Sequence, residues 1–329
     1  MSESQGDRDK PIRLNYGGYN AGLQNFGDML SPDIVAAFTG RNVQAVPGLG
    51  FGSRLVGIGT IGQRKRFGRA TFWGTGIGVV EDYFRVGRRF RRPSFTTLSA
   101  TALRGPFSAA MFRATGLEAP SVFGDPALLV SRLWADLRPT KRYELGVYVH
   151  ISEVTHKAPD ASPKPEYRRY DVPPDLRQAV VIRNTYVPAT LRAVREKVKE
   201  MLECKRILST ALHPLVLAEA YGIPCASFDF HHGPSALMVP DDDERPLDHR
   251  MRDFYAGIET SRVPVFRTER HIRTDWDAAM RFIDTYWEPK NVDTTRLLEA
   301  FPAQYGPARH EPLLEGLDRR LGWDCWADT

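Results

Sequence analysis

The chain has little cysteine: Cys204, Cys225 and Cys325 are its only three in 329 residues, and none belongs to a C-x-x-C pair. An odd, widely spaced set excludes a disulfide-stapled secreted scaffold and points to a reducing cytoplasm. No apolar run approaches the roughly 18 residues that cross a bilayer. Residues 1–10 are polar, and read as a flexible leader rather than a signal peptide. His231 and His232, like His150 and His156, stand without a carboxylate or cysteine at metal-ligand spacing, so no metal site is expected. A G-x-S-x-G elbow is absent, which removes the commonest serine-hydrolase arrangement. No internal repeat of fixed period is seen.

Hydrophobic residues at 42% and charged residues at 26% suit a globular enzyme, and the length suits two domains. Net charge is +5, with clusters at Arg64, Lys65, Arg66 and Arg69 and at Arg85, Arg88, Arg89, Arg91 and Arg92. Such clusters serve as solvated loops, as a patch for an acidic substrate, or as a peripheral contact with an anionic membrane surface. No nucleic-acid-binding motif accompanies them, so a nucleic acid partner is not expected.

Short apolar runs recur at residues 12–16, 54–58, 70–73, 98–103, 143–150, 178–182, 207–209 and 223–228. Runs of this length suit buried strands of a parallel sheet. Helices are expected from near Asp28, over 106–115 with Pro106 in its first turn, and over 187–203, where Leu191, Val194, Val198 and Leu202 share a face. Others are expected over 213–221, capped by Gly222, over 248–258 and over 275–286. The charged stretch 132–142 marks a domain boundary and the proline-rich stretch 157–175 an exposed loop. The division is therefore a leader at 1–10, domains at 11–138 and 139–260, and C-terminal helices at 261–329 that pack back on the first domain. Strands alternating with helices twice over predict an α/β fold of two Rossmann-like domains facing across a cleft. Ligands in such folds bind beyond the carboxyl ends of the strands.

Several loops at those ends carry chemistry. Gly57, Gly59 and Gly62 match the spacing of a dinucleotide fingerprint, but the next strand follows too soon for a crossover helix, which favours a glycine-rich turn. Gly74, Thr75 and Gly76 form either a tight surface turn or a place where backbone approaches a ligand. Asn25, Gly27 and Asp28 suit a helix cap or contacts to sugar hydroxyls. Arg104, before Pro106, suits an anion beside free helix N–H groups, or a surface ion pair. Asp125, before Pro126, is a turn residue or a site carboxylate. Ser209, Thr210 and His213 follow a short strand and open a helix, where they converge on an anion or hold a buried structural histidine.

Taken together these segments resemble the polysaccharide pyruvyl transferase family. The resemblance rests on Asn25 to Asp28, Trp73 to Gly76, Leu103 to Ser108, Gly124 to Leu129, and the stretch 207–224 around His213 and Pro214, with Asp253, Phe254 and Tyr255 downstream. It implies a GT-B-like fold, in which the first domain takes the acceptor and the second the donor. The implied activity moves pyruvate from phosphoenolpyruvate to two hydroxyls of a saccharide, lipid-linked or free, in an exopolysaccharide or cell-wall glycan precursor. No cofactor is implied beyond phosphoenolpyruvate as donor substrate. Arg104 and His213 are then expected on phosphoenolpyruvate with Ser209 assisting and His213 as acid, and Asn25 and Asp28 on the acceptor with Asp28 as base. Asp125 and His150 are second choices. Many members carry arginine where this chain has Ala211, so Arg183 or an arginine of the basic loops is expected to replace it. Two other functions compete: a nucleotide-sugar glycosyltransferase of the same fold, and a non-catalytic protein binding glycan or an anionic surface. Glu219 sits within a helix rather than after a strand, which disfavours ribose recognition.

Overall fold

A computed structural model describes residues 10–18, 22–78, 90–242 and 247–322. Leader residues 1–9, Arg85, Arg88, Arg89 and Cys325 lie outside the described residues. The first half contains β1 (Ile12–Asn15), β2 (Leu23–Asn25), α1 (Phe26–Thr39), β3 (Val43–Ala45), β4 (Ser53–Val56), β5 (Gly68–Phe72) and β6 (Thr96–Ala100), then α2 (Pro106–Arg113) and α3 (Val130–Leu133). Its sheet runs β3-β1-β4-β5-β6, parallel throughout.

The second half begins with β7 (Leu145–Val149), β8 (Val180–Asn184), β9 (Tyr186–Pro188), α4 (Leu191–Leu202), β10 (Ile207–Ser209) and α5 (Leu212–Tyr221). β11 (Cys225–Asp229), β12 (Ala236–Met238), α6 (His249–Gly257), β13 (Val263–Arg267), α7 (Trp276–Tyr286), α8 (Thr295–Glu299) and α9 (Leu317–Leu321) follow. Its six-stranded sheet runs β12-β13-β11-β10-β7-β8, and only β12 is antiparallel. The fold is thus mixed α/β with parallel sheets and helices.

Every residue of β7 and β10 is buried, as a parallel strand covered on both faces requires. α5 is buried on all sides from Leu212 to Glu219, which places it centrally. One apolar cluster joins Leu14 and Phe26 of the first half to Val198, Leu215 and Val216 of the second, and to Leu297 and Leu317 of the C-terminal segment. That segment lies against α1: Arg309 and Leu313 donate their N–H groups to Phe38 and Ala37, and Trp73 Nε1 donates to Leu297 O at 2.8 Å. β2 and β9 pair antiparallel, stitching the halves together.

The second sheet runs past residue 260, because β13 lies between β11 and β12. A five-residue strand containing Pro264 has little local signal to set it apart from a loop. Among the described residues no helix is long and apolar enough to cross a membrane.

Candidate active site

The loops after several strands of both sheets open on one cavity of about 640 Å³. Asn25 and Asp28 enter it from the start of α1, Arg104 from the turn before α2, His150 from the end of β7 and His213 from the first turn of α5. Thr60, Arg64, His249 and Arg250 complete its polar wall.

The first turn of α1 is finished by its own sequence. Asn25 accepts the Gly27 N–H at 3.0 Å, and Asp28 supplies a carboxylate to the positive end of the helix. Gly17 and Gly59 flank that carboxyl so closely that a Cβ would sit 2.5 Å and 3.2 Å from it. Gly59 also has φ 126, a conformation that suits glycine. Burial, and then the nearby Asp125 carboxylate, push Asp28 up to about 7. A carboxyl poised near neutrality suits proton transfer.

His213 stands against Gly27, where an added Cβ would lie 2.0 Å from the imidazole Cγ. Burial, reinforced by Arg104 and Arg250, lowers His213 to about 3, so the free protein holds it neutral. Asp125 is wholly buried, and one of its oxygens accepts the Ala127 N–H at 3.0 Å. The other lies 3.9 Å from His213 Nε2, too far for a hydrogen bond. Neither atom has a partner among the described residues. Burial raises Asp125 to about 6 against the lowering pull of Ala127 N–H and Arg104.

Arg104 is 1% exposed and paired with Asp253, which corrects the surface ion pair given as its alternative. Its Nε donates to Asp253 at 3.1 Å and Nη1 to Thr60 at 2.7 Å, while Nη2 has no partner among the described residues. In the first turn of α2 the Ser108 N–H is not free for a ligand: Asp253 already accepts it at 2.8 Å, and the Ser108 hydroxyl at 2.5 Å. By contrast α5 begins at Ala211 with no side-chain cap. His150 accepts from Ser152 N and approaches Arg250 at 3.4 Å, and burial followed by Arg250 lowers it to about 4. Asp248 holds the Arg250 guanidinium at 2.9 and 3.1 Å.

Asn25, Asp28, Arg104, His150 and His213 are therefore brought together, with Asp125 directly behind His213. Other expected ligand contacts stand behind the wall. Ser209 is fully buried and its hydroxyl is spent on Tyr148 O and Ala211 O, which corrects its assisting role. Thr210 accepts the His150 N–H at 2.7 Å and lines a second cavity of about 360 Å³ adjoining the first. Thr75 is fully buried and donates to Val56 O and Gly57 O, Gly74 abuts Pro126, and a Cβ on Gly76 would lie 2.4 Å from Arg104 Cζ. That turn seats Arg104 and does not line the cavity. Arg183 pairs with Glu200 at 3.2 Å outside the lining, while Arg64 and Arg250 supply its cations.

Thr60, His249 and Arg250 were not anticipated. The glycine turn 57–62 does lack a crossover helix, yet its residues Gly59, Thr60 and Ile61 form part of the wall. A detectable signal for Arg250 existed in Asp248, His249 and Arg250 at a helix start. Comparison with curated proteins and with solved structures finds no match. The family model described as polysaccharide pyruvyl transferase matches residues 25–232, more than half of the chain and a span that begins at the Asn25 cap and encloses Asp28, Arg104, Asp125, His150 and His213. The chain belongs to the polysaccharide pyruvyl transferase family.

Proposed function

We propose that this cavity transfers pyruvate from phosphoenolpyruvate to two hydroxyls of a sugar, forming a cyclic ketal on an exopolysaccharide or cell-wall glycan precursor. The observation that carries the reading is a set of unpartnered polar groups at and just behind one wall: the buried Arg104 Nη2 and His213 Nε2 among the described residues, beside the start of α5, which has no side-chain cap. A ligand bearing both a phosphate and a carboxylate matches such a wall, because helix N–H groups and guanidinium donors favour anions. Phosphoenolpyruvate brings its own activated enol and leaving group, so the reading needs no cofactor.

In this reading the two sheets are Rossmann-like halves facing across the cavity in a GT-B-like arrangement. The half with Asn25 and Asp28 takes the saccharide, lipid-linked or free, and the half with His213 takes the donor. Asp28 accepts the proton of the first sugar hydroxyl as its oxygen bonds to C2. His213, protonated as the dianion binds beside it and Asp125 offsets the cost of a buried imidazolium, gives its proton to the methylene carbon. The C2–O bond to phosphate then breaks with Arg104, Arg64 and Arg250 bearing the charge. The second hydroxyl bonds to C2, and its proton leaves with the phosphate.

Thermal unfolding with phosphoenolpyruvate, compared with UDP- and GDP-sugars, tests the donor. A rise in melting temperature with phosphoenolpyruvate alone is expected, followed by phosphate release when a sugar acceptor is supplied. A rise only with a nucleotide sugar would turn the assignment to a glycosyltransferase.

A further inference from the structure

The edge of the first sheet where its parallel strands begin, opposite the cavity end, has a different character. Leu49, Phe51, Phe67 and Phe95 immediately precede β4, β5 and β6, and they are 58%, 77%, 38% and 86% exposed. The loops that carry them are held as one body. Gly50 N donates to Arg66 O and Arg66 N to Gly48 O, both at 3.2 Å, and Phe67 N donates to Thr96 Oγ1 at 2.7 Å. The buried Arg54 guanidinium ties the same loops by donating to the carbonyls of Gly50, Arg66 and Phe67. The Phe51 and Phe67 rings lie 5.3 Å apart. Phe67 and Phe95 have φ 63 and 56, left-handed conformations that bulky residues seldom adopt. Apolar side chains are thus displayed to solvent on a rigid platform, at a cost in exposure and in strain.

Cations surround them. Arg13, Arg69, Arg91 and Arg92 are exposed, with Arg13 reaching beside Gly52 and Arg92 bonded to Thr96 O at 3.4 Å. Residues 42–78 and 90–117 contain no Asp or Glu. We propose that this face docks the protein on an anionic lipid bilayer. Phe51, Phe67 and Phe95 enter the boundary between headgroups and acyl chains, while the arginines meet lipid phosphates. A second copy of the chain suits the face less well, because a two-fold contact would set arginine against arginine. The docking is independent of the reaction assigned to the cavity.

The test is co-sedimentation of the full chain with vesicles of phosphatidylcholine, alone or with about one third phosphatidylglycerol. Retention is expected only on the anionic vesicles, weakening as salt is raised. Phe51→Ser with Phe95→Asn, the latter tolerant of positive φ, is expected to lower that affinity at least about ten-fold. Arg69→Ala and Arg92→Ala should each lower it roughly five-fold. All these surface variants are expected to keep the parent's unfolding temperature. No binding to anionic vesicles, or equal binding by the phenylalanine double variant, overturns the proposal. So does a wild-type dimer that the double variant splits without any vesicle binding.

Discussion

α1 and α5 start side by side, with Gly27 pressed against His213, yet their first turns are completed in opposite ways. α1 is capped by Asn25 and carries Asp28, so its positive end is met by the protein's own groups. α5 has no side-chain cap at Ala211 and presents a neutral imidazole instead. A self-satisfied helix end frees a carboxyl to handle protons, and an unsatisfied one is held open for an incoming anion. The cavity's proposed division between sugar and phosphoenolpyruvate follows that contrast.

The contrast breaks most severely at Asp28. Asp28→Asn is expected to lower kcat by on the order of 10²–10⁴ while phosphoenolpyruvate still raises the unfolding temperature. The wild-type pH–rate profile should climb through about 7, and the variant should lose that limb. Stability carries the same signature. The folded carboxyl keeps its proton up to about 7, whereas an unfolded aspartate releases it near 4. Folding therefore loses stability through this group as pH rises from about 4 to about 7. Denaturant titrations should show Asp28→Asn gaining on the wild type across that window, and a flat difference would mean that Asp28 is not held protonated.

The second prediction concerns the contact between the helices. Gly27→Ala inserts a Cβ 2.0 Å from the imidazole, so overpacking of about 1–3 kcal/mol is expected, with His213 displaced. Calorimetry measures the first effect and loss of the phosphoenolpyruvate-induced shift the second. An unchanged shift would remove His213 from the donor site.

The third makes α5 resemble α1. Ala211→Asp supplies the missing cap and sets a carboxylate at the positive end of α5, so phosphoenolpyruvate binding is expected to weaken several-fold. Titration calorimetry checks the binding, and tighter or equal affinity contradicts an anion site at this helix end. The smallest effect is at Asn25. Asn25→Ala removes the Gly27 N–H acceptor and should cost about 1 kcal/mol in chemical denaturation.

These residues differ in how far local sequence exposes them. The start of α1 near Asp28, the Gly222 stop of α5 and the fully buried β7 and β10 follow from capping chemistry and apolar runs, which act over a few residues. His213 was legible because loops after parallel strands are where such folds bind ligands, and Asp28 because it opens a helix beyond the loop of the first strand. Ser209 and Gly74 to Gly76 occupy equally suitable loops, but their hydroxyls and glycine spaces are spent on Tyr148 O, Ala211 O and the seat of Arg104. Whether a donor is spent or free depends on what packs against it from afar. Arg250 escaped notice because its place in the wall comes from α6, far along the chain from β7 and α5.

Sequence alone determined the α/β class, most of the parallel strands with the helices between them, and the family whose motifs begin at Asn25. Periodicity, caps and glycine stops are local properties. Only the tertiary structure decided that Asp253 takes the Ser108 N–H of α2, that Asp125 stops 3.9 Å short of His213, and that Asp28 titrates near neutrality. Each of these depends on burial and on charges brought from distant segments, and electrostatic work in a desolvated cavity has no counterpart in an extended chain.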